Sequence, residues 1–160
     1  LVLHSAHHER SRDFLPAKPC LMPQPYRTTR RVELRDTDAA GIAHFSAFIQ
    51  YMEQAEHEFL RHLGLSVLMH DDAGEISWPR VSVQCDYQGA VRFEDVVDVD
   101  LRLDRLGSKS ATYTFLFEHA GRTIASGRMT SVCCRLNPHH PPQSIVIPPS
   151  IADKLRPWAD

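Results

Sequence analysis

The stretch best suited to chemistry covers residues 35–45 and reads Arg-Asp-Thr-Asp-Ala-Ala-Gly-Ile-Ala-His-Phe. It places the short acidic side chain of Asp38 on a turn directly before an amphipathic helix pattern. The first N–H groups of a helix lack partners within it, and the helix dipole adds partial positive charge there. Asp38 could therefore attack a carbonyl carbon whose oxygen becomes negative, or deprotonate a water molecule for that attack. Both roles require the ionised carboxylate, and both stay open.

Three other polar residues near Asp38 have competing interpretations. We interpret Asp36 as a structural turn acid or ion-pair partner, because a magnesium site would need a third oxygen ligand that is not apparent. His44 could orient water or contact the reacting group, or it could be a satisfied histidine at the helix start. Glu53 lies in the middle of the helix pattern, and we interpret it as a structural or supporting group.

The pattern after residue 45 predicts a helix from about Ser46 to Leu63. Apolar side chains recur there at steps of three and four residues, namely Phe48, Ile49, Met52, Ala55, Phe59, Leu60 and Leu63. Gly64 is suited to follow the last turn of this helix. Before the helix, alternation predicts a strand from Thr28 to Arg35, with Val32 and Leu34 on one face.

After the helix, the chain is predicted to be rich in strands. The segment from His70 to Ser77 is predicted to be a loop. Four strand patterns follow, and they cover Val81–Tyr87, Val96–Leu106, Ser110–His119 and Arg122–Leu136, the last of which is long enough to be bulged or bent. The proline-rich stretch from Pro138 to Pro149 is predicted to end the sheet, and a short helix from Ser150 to Leu155, with Ser150 as its N-cap, should follow. This order predicts an α+β fold whose antiparallel sheet packs its apolar face on the long helix.

Length and composition narrow the class of protein. The 160 residues suit one domain, which we place at residues 26–160 after a loosely ordered arm at residues 1–25, with Met22 as a candidate start. A net charge of −2 with interspersed signs argues against a nucleic-acid protein. No stretch reaches the roughly 18 apolar residues that span a membrane. The four cysteines form no C-x-x-C pair, so we expect a reducing cytoplasm and no disulfide framework.

Several motifs of the chain occur together in one known family. The pattern Asp-x-Asp-x-x-Gly at residues 36–41 is followed by Tyr-Met-Glu-Gln-Ala at residues 51–55 and by Tyr-Gln-Gly-Ala-Val-Arg-Phe-Glu-Asp at residues 87–95. The family's positions for a glycine, a serine, a small residue and a core valine correspond to Gly107, Ser110, Gly127 and Val132. From about Tyr26 to Pro148 the chain resembles the 4-hydroxybenzoyl-CoA thioesterase family of the hotdog fold, in particular its bacterial acyl-CoA thioesterase branch.

This resemblance implies a hotdog fold, with an antiparallel sheet wrapped around one long central helix, and hydrolysis of acyl-CoA or acyl-carrier-protein thioesters. It implies that Asp38 is the catalytic acid and that the backbone N–H of Phe45 polarises the thioester carbonyl, with His44 beside them. The active site should lie at the interface of a homodimer or homotetramer. The expected substrate-binding residues are Gly41, Arg92, Lys109 and Ser110. No metal or redox cofactor is expected, since the coenzyme A thioester is the substrate.

Two other functions compete with hydrolysis. One is a binding module that holds acyl-CoA without cleaving it. A regulator of that kind usually carries a DNA-binding segment, and the arm before Tyr26 is too short and too proline-broken for a helix-turn-helix. The other is a hotdog hydratase, which pairs an Asp and a His five residues apart. Asp38 and His44 are six residues apart, without the expected Pro and Asn between them, so the hydratase is the weaker alternative.

Overall fold

The computed structural model describes residues 24–159, so the predicted arm and Cys20 lie almost wholly outside the described residues. Over the described range the chain forms two antiparallel sheets, one helix of 18 residues and one short helix. The predicted α+β class, an antiparallel sheet combined with a long helix, is confirmed. Between residues 24 and 159 no helix is long and apolar enough to cross a membrane.

The larger sheet has five strands. They are β1 (Tyr26–Arg31), β4 (Arg80–Tyr87), β5 (Val96–Leu106), β6 (Ser110–His119) and β7 (Arg122–Val132), in the spatial order β1-β5-β6-β7-β4. Alternation along β5 explains its placement, because Val97, Val99, Leu101 and Leu103 are buried while Asp98 is exposed. The predicted bounds of β5 and β6 are confirmed, and that of β4 differs by one residue.

The long helix α1 (Phe45–His62) lays its apolar stripe on this sheet and forms one core with it. Met52 is fully buried and packs where Gly127 of β7 has no side chain. A Cβ at Gly127 would overlap the Met52 sulfur, which explains why a small residue lies there. Gly64 follows the helix with a φ of 66°, the left-handed conformation that glycine adopts most easily.

A second sheet was not predicted. Its strands are β2 (Leu68–Asp71), β3 (Gly74–Ser77), β8 (Cys134–Asn137) and β9 (His140–Ser144), in the order β2-β3-β8-β9. The prediction of a loop from His70 to Ser77 was therefore wrong, since β2 and β3 form a hairpin there. The prediction that Pro138 to Pro149 ends the sheet was also wrong, because β9 lies within it. As an edge strand, β9 accommodates prolines that cannot donate a hydrogen bond.

Three smaller differences concern element ends. The first strand ends at Arg31 and not at Arg35, because a 3-10 helix (Leu34–Asp36) turns the chain and leaves Leu34 70% exposed. The predicted strand from Arg122 to Leu136 is divided after Val132, where the chain passes to the second sheet. The short helix α2 (Pro149–Leu155) begins with a proline at its first position, where its missing N–H costs nothing, so Ser150 is not the N-cap.

Candidate active site

The segment between β1 and α1 folds back on itself as a small loop. Thr37 pairs with Ala43, and the Asp38 N–H donates to the Ile42 carbonyl at 2.9 Å. Inside the loop, the Gly41 N–H donates to the Asp38 carbonyl at 2.9 Å, and Gly41 has a φ of 72°. A residue with a Cβ adopts this conformation only under strain. The loop thus pairs Asp38 with Ile42, three residues before the first residue of α1.

The two acids of this loop have opposite environments. Asp36 is 8% exposed, and its Oδ2 accepts hydrogen bonds from the Tyr51 hydroxyl at 2.8 Å and the Glu33 N–H at 2.9 Å. Asp38 is exposed, and its Oδ1 accepts from the Ala40 N–H at 2.8 Å. Asp38 Oδ2 has no hydrogen-bond partner within residues 24–159. The structural interpretation of Asp36 agrees with these contacts, and Asp38 is the acid open to a substrate.

The start of α1 is anchored on both sides of Phe45. As the first residue of the helix, Phe45 has an N–H with no partner inside the helix. His44 is the N-cap, with Nδ1 3.4 Å from the Ser46 N–H nitrogen and 2.8 Å from Ser46 Oγ. The Tyr87 hydroxyl, at the end of β4, donates to the Phe45 carbonyl at 2.9 Å. These contacts hold the first residues of α1 in place.

Arg92 reaches the Asp38 turn from the other side. The Ala43 N–H donates to the Val91 carbonyl at 2.8 Å, which ties the two segments together. Arg92 Nη1 lies 3.4 Å from the Gly41 carbonyl, and the side chain is exposed. The turn is braced by the Arg92 backbone, whose N–H donates to Asp95 Oδ2 at 2.7 Å. The guanidinium therefore stays available to an anionic group beside the loop.

Lys109 and Ser110 lie far from this loop within one chain. Strand β5 runs from Val96, which pairs with Arg31 at the loop end, to Leu106, which precedes the turn holding Lys109. At 3.3 Å per residue, this separates the two ends by about 30 Å. The structure brings together Asp38, Gly41, His44, Phe45 and Arg92. It leaves Lys109 and Ser110 at the opposite end of the sheet.

The sequence interpretation missed two tyrosines and one glutamate. Tyr51 and Tyr87 lie in the family-like motifs, but their partners Asp36 and Phe45 could not be inferred from spacing. Burial and the neighbouring Asp36 raise the pKa of Tyr51 far above its usual value, so its hydroxyl remains a donor. Burial is also the main cause that raises the pKa of Tyr87 to about 12.

Glu56 is the fully buried acid of α1. Its Oε2 accepts from Arg80 Nη2 at 2.5 Å, and its Oε1 accepts from the Ser131 hydroxyl at 3.0 Å. Burial raises the pKa of Glu56 above its usual value. Glu53, which the sequence singled out, is half exposed and lies 3.6 Å from the same arginine. Glu53 and Glu56 thus hold the helix to Arg80 of β4.

The cysteines of the described range and its possible metal ligands were predictions of the sequence that the structure locates. Burial raises the pKa of Cys133 to about 11 and shifts the pKa values of Cys85 and Cys134 upward, so these thiols stay protonated at neutral pH. Within residues 24–159, no group of three or more His, Cys, Asp or Glu is placed to hold a metal ion. Asp38 is the exposed acid of the loop that precedes α1.

Comparison with known proteins places the chain in a family. A model of the Thioesterase-like superfamily matches residues 32–155. A 1,4-dihydroxy-2-naphthoyl-CoA hydrolase of Synechococcus sp. (strain CC9605) is 30% identical over 114 residues, covering 68% of this chain and 76% of that protein. The acyl-CoA thioester hydrolase YbgC of Escherichia coli O157:H7 is 25% identical over 127 residues, which cover 76% of this chain and 92% of that protein. A solved gentisyl-coenzyme A thioesterase is 27% identical, with a TM-score of 0.69 over 81% of this chain and 98% of that one. The chain belongs to the thioesterase-like superfamily.

Proposed function

We propose that this chain is a thioester hydrolase that cleaves acyl-CoA thioesters to the free acid and coenzyme A. The contrast between the two acids of the loop carries the proposal. The carboxylate of Asp36 is buried in internal hydrogen bonds, whereas that of Asp38 is exposed on a glycine turn that precedes α1, whose first N–H, that of Phe45, has no partner inside the helix. Relatives named as hydrolases or thioesterases of coenzyme A esters support the choice of substrate.

In this proposal the reactive oxygen is Asp38 Oδ2. It either attacks the thioester carbon, releasing the coenzyme A thiolate and leaving a mixed anhydride that water cleaves, or it deprotonates a water that attacks the same carbon. The Phe45 N–H donates to the thioester oxygen as negative charge develops there. The His44 Nδ1 is engaged with Ser46, which leaves Nε2 to orient the water.

We further propose the hotdog arrangement, in which the larger sheet wraps around α1 and a second copy completes the site. Strand β4 is an edge strand, with Val81 63% and Val83 41% exposed. An edge of this kind favours pairing with another strand. Two-fold antiparallel pairing along β4 would bring the Lys109 turn of the second copy to the Asp38 end of the sheet.

Assembly of this kind gives each expected binding residue a role. Lys109 and Ser110 of the second copy would receive the phosphates of coenzyme A, which a lysine at a turn meets as a mobile charge. Arg92 would guide the nucleotide from the first copy. Gly41 would let the backbone approach the thioester closely, because it carries no side chain.

A thiol-release assay on a panel of acyl-CoA and carrier-protein thioesters tests the proposal. We expect steady turnover of at least one substrate by the purified protein, with buffer and the Asp38→Asn variant as controls. Calorimetry on the same panel identifies ligands that bind. Binding of an acyl-CoA without thiol release from any substrate would contradict hydrolysis and favour the binding module.

A further inference from the structure

We propose that Asp36 is a positioning residue, whose buried carboxylate fixes the turn that carries Asp38 against the start of α1. The inference rests on the proposed function of Asp38. It concerns how the reactive carboxylate is held in place, and it gives Asp36 no contact with the substrate.

Three parts of the fold meet at Asp36. Its Oδ2 accepts from the Glu33 N–H, where the chain leaves β1, and from the Tyr51 hydroxyl on α1. Its carbonyl accepts from the N–H of His44, the N-cap of the helix, at 2.7 Å. Tyr51 is itself buried in the core, so its hydroxyl is a fixed hydrogen-bond donor to Asp36. One residue thus fixes the chain on both sides of the Asp38 turn.

The position of Asp38 depends on this anchor. Only Thr37 separates Asp36 from Asp38, and the turn beyond projects into solvent. Loss of the Asp36 carboxylate would leave the buried Tyr51 hydroxyl without its acceptor, and the loop would shift to compensate. A displacement of about 1 Å at a reacting group can lower the rate by about 100-fold.

The anchor depends on accepting hydrogen bonds and not on charge. Asp36 Oδ1 lies 4.0 Å from the Arg35 Nε, and that arginine side chain is mostly exposed. An ion pair of this length at the surface contributes little. An asparagine oxygen can accept the same two hydrogen bonds as Asp36 Oδ2. The two hydrogen bonds should therefore be kept in Asp36→Asn, whose side chain retains an oxygen acceptor, and lost in Asp36→Ala.

Two substitutions at one position test this inference in the thiol-release assay. We expect Asp36→Asn to keep kcat within about threefold of the wild type, whereas Asp36→Ala should lower kcat by about tenfold or more, with KM nearly unchanged. The Ser131→Ala variant is the matched control, because it loses a buried hydrogen bond to Glu56 far from the loop. It should lose stability without losing kcat.

Each result decides the inference. Equal inactivity of Asp36→Asn and Asp36→Ala would overturn it, because the negative charge would then be required. A wild-type kcat in Asp36→Ala would also overturn it. If Asp36→Ala does not fold, Tyr51→Phe decides, with a threefold or larger loss of kcat supporting the anchor and an unchanged kcat overturning it. A proportional loss of kcat in Ser131→Ala would also overturn it. A wild-type protein that releases no thiol contradicts the proposed function itself, so the two failures are distinguishable.

Discussion

Replacing Arg80 by leucine should destabilise the fold by about 3–5 kcal/mol at pH 7, because it leaves the Glu56 carboxylate unpaired in the core. Glu56 has no exposed surface, and Arg80 provides its closest partner at 2.5 Å. The Ser131 hydroxyl, at 3.0 Å, cannot compensate for a full charge. The Arg80 side chain is 22% exposed, so water can partly replace it and the lower end of the range is expected.

The pH dependence of this penalty has a definite sign. Burial raises the pKa of Glu56 in the folded state, even with Arg80 beside it, so the folded protein holds this proton more tightly than the unfolded chain. The resulting stability is fully present below the unfolded pKa of about 4.3 and is lost as the pH rises through the folded pKa. Without Arg80 the folded pKa rises further. The penalty of Arg80→Leu should therefore shrink between pH 7 and pH 5.

Urea unfolding followed by tryptophan fluorescence measures these effects, since Trp78 is buried beside β4. The wild type, Arg80→Leu, Glu56→Gln and the double variant are compared at one protein concentration and at both pH values. The side-chain amide of Glu56→Gln is neutral, so the double variant leaves no unpaired charge in the core. It should therefore recover about 2 kcal/mol relative to Arg80→Leu. A penalty below about 1 kcal/mol at pH 7, or one that persists unchanged with Glu56→Gln, would refute the reasoning.

Three further predictions follow from the packing and the loop. Gly127→Ala should cost about 1–3 kcal/mol in thermal unfolding, because the new methyl group meets the Met52 sulfur, and Met52→Ala should relieve part of this cost. Lys109→Ala should raise KM for acyl-CoA several-fold with kcat unchanged, and the effect should weaken in high salt; an unchanged KM would remove Lys109 from the site. Gly41→Ala should cost about 1 kcal/mol or more, since its φ of 72° strains an L-residue, and should lower kcat if the turn positions Asp38.

Local periodicity predicted the parts of the fold that are stabilised within a short window. The stripe of α1 and the alternation of β5 and β6 are strong enough that the predicted ends agree with the structure to within one residue. The second sheet depends on distant partners. Its hairpin is closed by Arg135, 64 residues after its partner Asp71, and no local pattern around residue 71 indicates that ion pair. The prolines in β9 likewise suggest the end of the sheet until the edge position of this strand is known.

In the candidate site, too, the local features were predictable from the sequence and the contacts between distant residues were not. The Asp38 turn and the helix start follow from residues that are adjacent in sequence. The anchoring of Asp36 by Tyr51 joins positions 15 residues apart, and the bond from Tyr87 to Phe45 joins positions 42 apart. Those contacts depend on how distant segments pack against the helix, which composition and spacing do not encode.

The most direct measurement is the turnover number of the Asp38→Asn variant against the wild type, on one acyl-CoA that the wild type hydrolyses. Circular dichroism and sizing chromatography on the same samples verify that fold and assembly are unchanged. We expect kcat to fall by at least about 100-fold, because the amide can neither attack the thioester nor accept a proton from water. A variant that is folded, assembled and as fast as the wild type would contradict the role of Asp38.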